Sequence, residues 1–233
     1  MTAGAHSSIN STARLAGGLY LAMALFAGFG IMYVPSVLLV RGDAVTTSRN
    51  IMASEWLFRS GILSHLIAQI IFIFLVLALY RLLKTVNKDH AVLMVVLALL
   101  SIPMAFFNEV NQLAVLRLLS SADAGAFTLS QLQAQAMLFL DMRESGILVT
   151  LVFWGLWLLP LGSLVLRSGF LPKLLGILLA IAGAGYLFDS GTQLLFPGFA
   201  TISQFTFVGE LLFPLWLLIK GVNVDRWQQV TLA

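Results

Sequence analysis

The 233-residue chain is 60% hydrophobic and only 10% charged, against about 25% charged for a soluble domain; one water-facing core cannot bury so much apolar surface, so lipid must be the solvent for much of it. The net charge of +3 does not indicate a nucleic-acid binder, because the basic residues stand in short loops between apolar runs and form no patch. The chain has no Cys, which excludes disulfides, thiolate metal ligands and a Cys nucleophile.

The apolar runs predict an all-α polytopic membrane helix bundle with six transmembrane helices. Residues 1–12 read as a flexible N-terminal tail, 13–222 as the transmembrane domain and 223–233 as a C-terminal tail. The first uncharged run, Leu15 to Val40, exceeds the roughly 20 residues that a span needs. No small-residue cleavage pattern closes it, so it reads as a retained helix and not a signal peptide. The second span is expected at Leu57–Leu83, the third at Ala91–Leu118 and the fourth at Ser145–Leu166. The fifth is expected at Pro172–Phe196 and the sixth at Ile202–Ile219. In "RSGFLPK" (167–173), Gly169 sits where a helix C-cap needs positive φ, and Pro172 sits at the first turn of the next helix. "FPGFA" (196–200) reads as a tight turn. Pro103, Pro160 and Pro214 fall inside spans, where kinks are tolerated if neighbours satisfy the freed carbonyls. Gly176, Ala180 and Ala184 recur every four residues and predict a stripe along which another helix approaches closely.

Two loops are long enough to carry structure of their own, 43–56 and 120–146, and short interfacial helices are expected in both. In the second, Ser130 with Gln133 fits a capping box. The helix over about 129–142 either lies at the interface, where it would act as a lid on the pocket, or runs straight into the fourth span. With the N-terminus on side one, that side holds eight Lys and Arg: Arg14, Arg81, Lys84, Lys88, Arg167, Lys173, Lys220 and Arg226. The other holds five: Arg41, Arg49, Arg59, Arg117 and Arg143. The positive-inside rule then places both termini in the cytoplasm.

On that topology the membrane polar groups gather in the outer half. Span two carries Arg59, His65 and Gln69, with Glu55 just before it. Span three carries Asn108, Glu109, Asn111 and Gln112, and spans five and six bring Asp189, Gln193 and Glu210. His65 and Gln69 share a helix face, as do Asp189 and Gln193. Asn108, Asn111 and Gln112 are expected on one stripe that Ser101 extends, with Glu109 about 100° away. These residues predict an outward-facing pocket: Glu55, Arg59, His65, Gln69, Asn108, Glu109, Asn111, Gln112, Asp189, Gln193 and Glu210. An ionised group at a span centre costs roughly 2.5–3.5 kcal/mol, so the carboxylates should face one another, Arg59, His65 or water.

Each residue also has a plainer reading. Asp189 and Glu210 could fix helix register, and Glu55 could simply pair with Arg59 four residues on. One membrane His with carboxylates is a poor zinc signature, and no H-E-x-x-H occurs, so neither metal nor cofactor is expected. Ser64, Ser101 and Ser190 have no G-x-S-x-G elbow. Trp154 and Trp157 read as packing or lipid-facing groups.

Five stretches together resemble the bacterial membrane family catalogued as domain of unknown function 4386. They are "ARLAGGLYL" (13–21), "NIMASEWLFRSGI" (50–62), "LYRLLKTVNK" (79–88), "RSGFLPKLLGILLAIAGAGYLFDS" (167–190) and "GELLFPLWLLIKGVN" (209–223). The resemblance implies a multi-pass bacterial inner-membrane protein without an assigned activity. It also implies that Glu55, Arg59, Asp189 and Glu210 match motif positions. The family often has His where this chain has Arg143 and Trp157, a departure that weakens metal or His catalysis here. The function expected is binding or transport of a small polar or amphiphilic molecule, with proton coupling as an extension. The alternatives are an intramembrane acid–base enzyme on a lipid or isoprenoid, and a structural or scaffold subunit. Membrane lipids and a small-molecule ligand are the expected partners, nucleic acid is not, and the oligomeric state is left open.

Overall fold

The structure is a computed structural model that describes residues 3–120 and 127–232. It is helical throughout, with no strand among the described residues. Helix α1 (Ala3–Gly28) runs through a π-helical turn (Phe29–Tyr33) into α2 (Val34–Leu38). Then come α3 (Ala44–Ala53), α4 (Glu55–Leu83), α5 (Lys88–Ser120) and α6 (Leu129–Ser168). The chain ends with α7 (Lys173–Leu195), α8 (Ser203–Thr206), α9 (Val208–Ile219) and α10 (Val224–Leu232).

Among the described residues, five segments are long and apolar enough to cross a membrane: Ile9–Leu38, Glu55–Leu83, Lys88–Ser120, Leu129–Ser168 and Lys173–Leu195. Ser203–Ile219 qualifies only together with Val224–Thr231 across a 99° bend, giving six spans if this broken pair counts as one. Leu25, Phe74, Phe107 and Leu195 are largely exposed. Apolar exposure on this scale marks a surface that meets something other than water. The chain is an all-α, multi-pass membrane protein.

The local signals act as residue chemistry dictates, with some displacements. Asp43 accepts from the Thr46 amide at 2.8 Å and caps α3; that hydrogen bonding holds the exposed carboxyl below its ordinary pKa. Helix α3 is thus a separate short helix in the first long loop. In the second long loop the helix takes the second of its two expected courses and is continuous with the fourth span as α6, because no Gly or Pro falls between Leu129 and Ser145. Its capping box is formed two residues early. Gln131 Oε1 accepts from the Thr128 amide at 2.8 Å, and Thr128 Oγ1 accepts from the Gln131 amide at 3.3 Å. Part of that loop, 121–126 with Asp123, lies outside the described residues. Gly169 takes φ 70° and ends α6 as its position predicts. The stretches read as tails contain helix, α1 from Ala3 and α10 to Leu232.

The contacts divide into two compact units. One comprises Met1–Ala22, Ile71–Ile102 and Leu148–Ala233; the other comprises Met23–Ile70 and Pro103–Ile147. In the first, small residues bring backbones together. A Cβ at Gly155 or Gly183 would lie 2.7 Å from the other's carbonyl oxygen, and the same holds for Gly162 and Gly176. The close-approach stripe on α7 is therefore Gly176, Ala180 and Gly183, while Ala184 is exposed. At 3.6 residues per turn a four-residue repeat drifts off the contact face. Tyr20, Trp157, Phe213 and Phe72 pack as an aromatic group, with Phe72 edge-on to Trp157 at 5.1 Å. Trp227 of α10 donates to the Leu82 carbonyl at 3.2 Å. The second unit has its own apolar core, in which Val34, Leu38, Ile51, Phe58, Ile62, Val115, Leu116, Ala136 and Leu140 are buried.

Candidate functional site

The second unit contains a buried charged cluster built from three long helices and the π turn. His65 of α4 bonds through Nδ1 to Glu109 Oε1 of α5 at 2.6 Å, and its Nε2 meets Gln69 Nε2 at 3.0 Å. Glu109 Oε2 accepts from Gln112. Arg143 of α6 stands with Nε 3.9 Å from Glu109 Oε1. His65, Gln69, Asn108, Glu109, Gln112 and Arg143 are all buried. Asn108 donates to the Arg143 carbonyl at 2.9 Å and accepts from Asn111 at 3.0 Å. The expected single stripe thus splits: Asn111 joins Asn108, and Gln112 joins Glu109, each one turn along its own face. Any side chain at Gly146 would collide with Asn108.

The π turn supplies the last partner. Val34 N–H reaches back five residues to the Phe29 carbonyl, so in this register the next amide should serve Gly30. That residue is Pro35, which has no N–H. The Gly30 carbonyl instead accepts from Arg143 Nη2 at 3.3 Å. Gly30 is also a steric requirement, since a Cβ there would lie 2.5 Å from the Gly61 carbonyl oxygen and 3.1 Å from His65 Cβ. Two buried atoms of the cluster, Gln69 Oε1 and Arg143 Nε, have no hydrogen-bond partner.

Glu55 and Arg59 pair with each other at 2.7 Å on the exposed start of α4. Asp189, Gln193 and Glu210 belong to the first unit. Asp189 is buried and accepts the amides of Ile202 and Ser203, both at 2.8 Å, through its two oxygens. Gln193 donates to the Phe199 carbonyl. Glu210 Oε2 accepts from Tyr20 at 2.8 Å, and the Tyr186 hydroxyl stands against the same buried carboxylate. Asp189 therefore organises the connection from α7 to α8, and Glu210 ties α9 to α1.

The chemistry available is limited by these pairings. Both ring nitrogens of His65 are occupied. The hydroxyls of Ser64, Ser101 and Ser190 donate to the carbonyls of Phe26, Ala98 and Leu148. Among the described residues no group of three or more His, Asp or Glu could hold a metal ion. The sequence reading missed Arg143 as a core residue, because it lay among loop charges, and missed the Gly30 carbonyl. The signal for the latter was Pro35 inside the first apolar run.

A family model described as Domain of unknown function (DUF4386) matches residues 15–221. The chain belongs to this family. The match takes in every member of the charged cluster, as well as Asp189 and Glu210, so the DUF4386 region contains both sets of buried polar groups. The chain is also 46% identical over 76 residues to an uncharacterised protein of Archaeoglobus fulgidus, covering 32% of this chain and 46% of that relative. It thus spans about half the length of that relative. No solved structure matches the chain.

Proposed function

We propose that this DUF4386 protein binds or transports a small polar or amphiphilic molecule, and that proton uptake at His65 accompanies that step. One observation carries the reading: a buried His65 joined to Glu109, with an amide at its other nitrogen that can serve two protonation states. With His65 neutral, Nδ1–H donates to Glu109, and Nε2 accepts from the Gln69 amide as the structure has it. Adding a proton to Nε2 turns it into a donor. Rotation of the Gln69 amide then presents Oε1, the atom with no partner, to that proton.

The charged groups facing His65 are Glu109 from α5 and, across Glu109, Arg143 from α6. With both ionised their charges offset. An added proton leaves the cluster net positive in a low-dielectric setting, which favours entry of an anionic or strongly polar group. The occupancy of both ring nitrogens speaks against the acid–base enzyme reading, which needs one of them free for substrate. The distribution of Lys and Arg supports both termini being cytoplasmic, and the long apolar helices support membrane lipids as the surroundings of the chain.

The test is proton uptake by the purified protein in neutral detergent between roughly pH 5 and 8, with ¹⁵N-histidine NMR as the site readout. Wild type is expected to take up more protons than His65→Gln, and Gln69→Leu to alter the His65 transition. A small-molecule thermal-shift screen at both ends of that range should give hits whose pH dependence disappears in His65→Gln. Identical proton uptake by wild type and His65→Gln would reject the reading.

A further inference from the structure

The first unit contains a second feature, unrelated to the charged cluster. Two turns, each closed by a glycine of positive φ, line one cleft: Gly169 (φ 70°) after α6 and Gly221 (φ 68°) after α9. The cleft has a volume of about 370 Å³. That lies within the range of small-molecule sites, about 300–1,000 Å³. Its walls are of two kinds. Phe170, Leu171, Trp216 and Val222 are apolar, whereas Lys220 and Arg226 are cationic, and no carboxylate of the described residues lines it.

The lining is tied in place. Asn223 N–H donates to the Phe170 carbonyl at 3.1 Å, Val222 N–H to Asn10 Oδ1 at 3.0 Å, and Arg226 Nη1 to the Gly169 carbonyl at 3.2 Å. The main-chain amides of 220–223 are therefore spent on the protein, and side chains must do any ligand recognition. Lys220 and Arg226 are exposed, and a guanidinium and an ammonium lining one cleft make a donor set for a phosphate-class oxyanion. The 99° bend between α9 and α10 opens the cleft where the apolar span ends. Trp216 on its wall is the residue type that settles at the level of lipid headgroups. Basic pockets at span ends take anionic headgroups.

We propose that this cleft binds a phosphate-bearing anion, with the phosphate on Lys220 and Arg226 and any attached apolar chain along Phe170, Leu171 and Trp216. The source is either an anionic phospholipid or free phosphate. The competing role for the two cations is to neutralise the C-terminal ends of α6 and α9.

Native mass spectrometry of the protein in neutral detergent separates these. With phosphatidylglycerol and phosphatidylcholine as probes, wild type should retain the anionic lipid about 10- to 30-fold better, the scale of two basic contacts. Lys220→Gln/Arg226→Gln should reduce phosphatidylglycerol to the phosphatidylcholine level, and Lys220→Arg/Arg226→Lys should keep it. If inorganic phosphate displaces phosphatidylglycerol, or raises the unfolding temperature of wild type but not of the Gln variant, the source is free phosphate. Equal retention of phosphatidylglycerol by wild type and the Gln variant, with only a lower unfolding temperature in the latter, would overturn the proposal in favour of helix-end neutralisation.

Discussion

Arg143 donates to the main-chain carbonyl of Gly30 at 3.3 Å, 113 residues away in the chain. Three local facts produce this bond. The π turn moves the Val34 amide onto Phe29, Pro35 has no amide to offer in its place, and Gly30 is small enough for α4 to approach. A helix break of this kind leaves a buried acceptor in search of a donor, and a cation from another helix supplies it while also standing beside Glu109.

The pair with Glu109 should dominate the stability of the second unit. Arg143→Leu leaves the carboxylate and the Gly30 carbonyl buried with fewer partners, and should cost about 3–5 kcal/mol, the scale for breaking a buried ion pair from one side. Adding Glu109→Leu should recover part of the loss, because the uncompensated charge is gone. Equilibrium unfolding in detergent of both single variants and the double variant measures this.

Pro35→Ala restores an amide in a position to serve Gly30. Arg143 should then matter less, so Arg143→Leu should cost less in the Pro35→Ala background. The expected coupling is about 0.5–3 kcal/mol, read from a double-mutant cycle. Strict additivity would mean that Pro35 is not the cause of the free carbonyl.

Two helical glycines should respond in opposite directions to alanine. At Gly28 nothing lies within 4 Å of the added Cβ, so Gly28→Ala should stabilise by about 0.5–1 kcal/mol through helix propensity. At Gly183 the Cβ would lie 2.7 Å from the Gly155 carbonyl oxygen, and backbone cannot yield as a side chain can. Gly183→Ala should destabilise by about 1–3 kcal/mol. Thermal unfolding of the two variants side by side is sufficient.

Asp189→Asn tests the bracing role. The amide keeps one acceptor oxygen where the carboxylate had two, so one of the Ile202 and Ser203 amides loses its partner. The cost should be about 1–3 kcal/mol. Hydrogen exchange should quicken at those two amides while the middle of α7 stays protected. Unchanged protection at both would show that the connection is held by something else.

Helices and spans were legible in the sequence because they are local. Long uncharged runs and Gly169 before Pro172 act within a turn or two of themselves. The capping box at Thr128 was missed in favour of Ser130 because both fit the same pattern, and only the point at which the helix begins separates them. The four-residue spacing puts His65 with Gln69, and Asp189 with Gln193, on shared faces, but a face says nothing of what stands opposite.

The sequence by itself therefore determined that this is an all-α membrane chain, since apolar run length and the need to satisfy backbone groups within each segment leave little else. It also determined that acids, amides and a histidine lie inside those runs. Tertiary structure decided their partners: His65 and Arg143 on Glu109, Asp189 on two amides, Glu210 on Tyr20. Those choices depend on how helices far apart in the chain rotate and cross, and on a carbonyl freed by one proline, so no local pattern carries them.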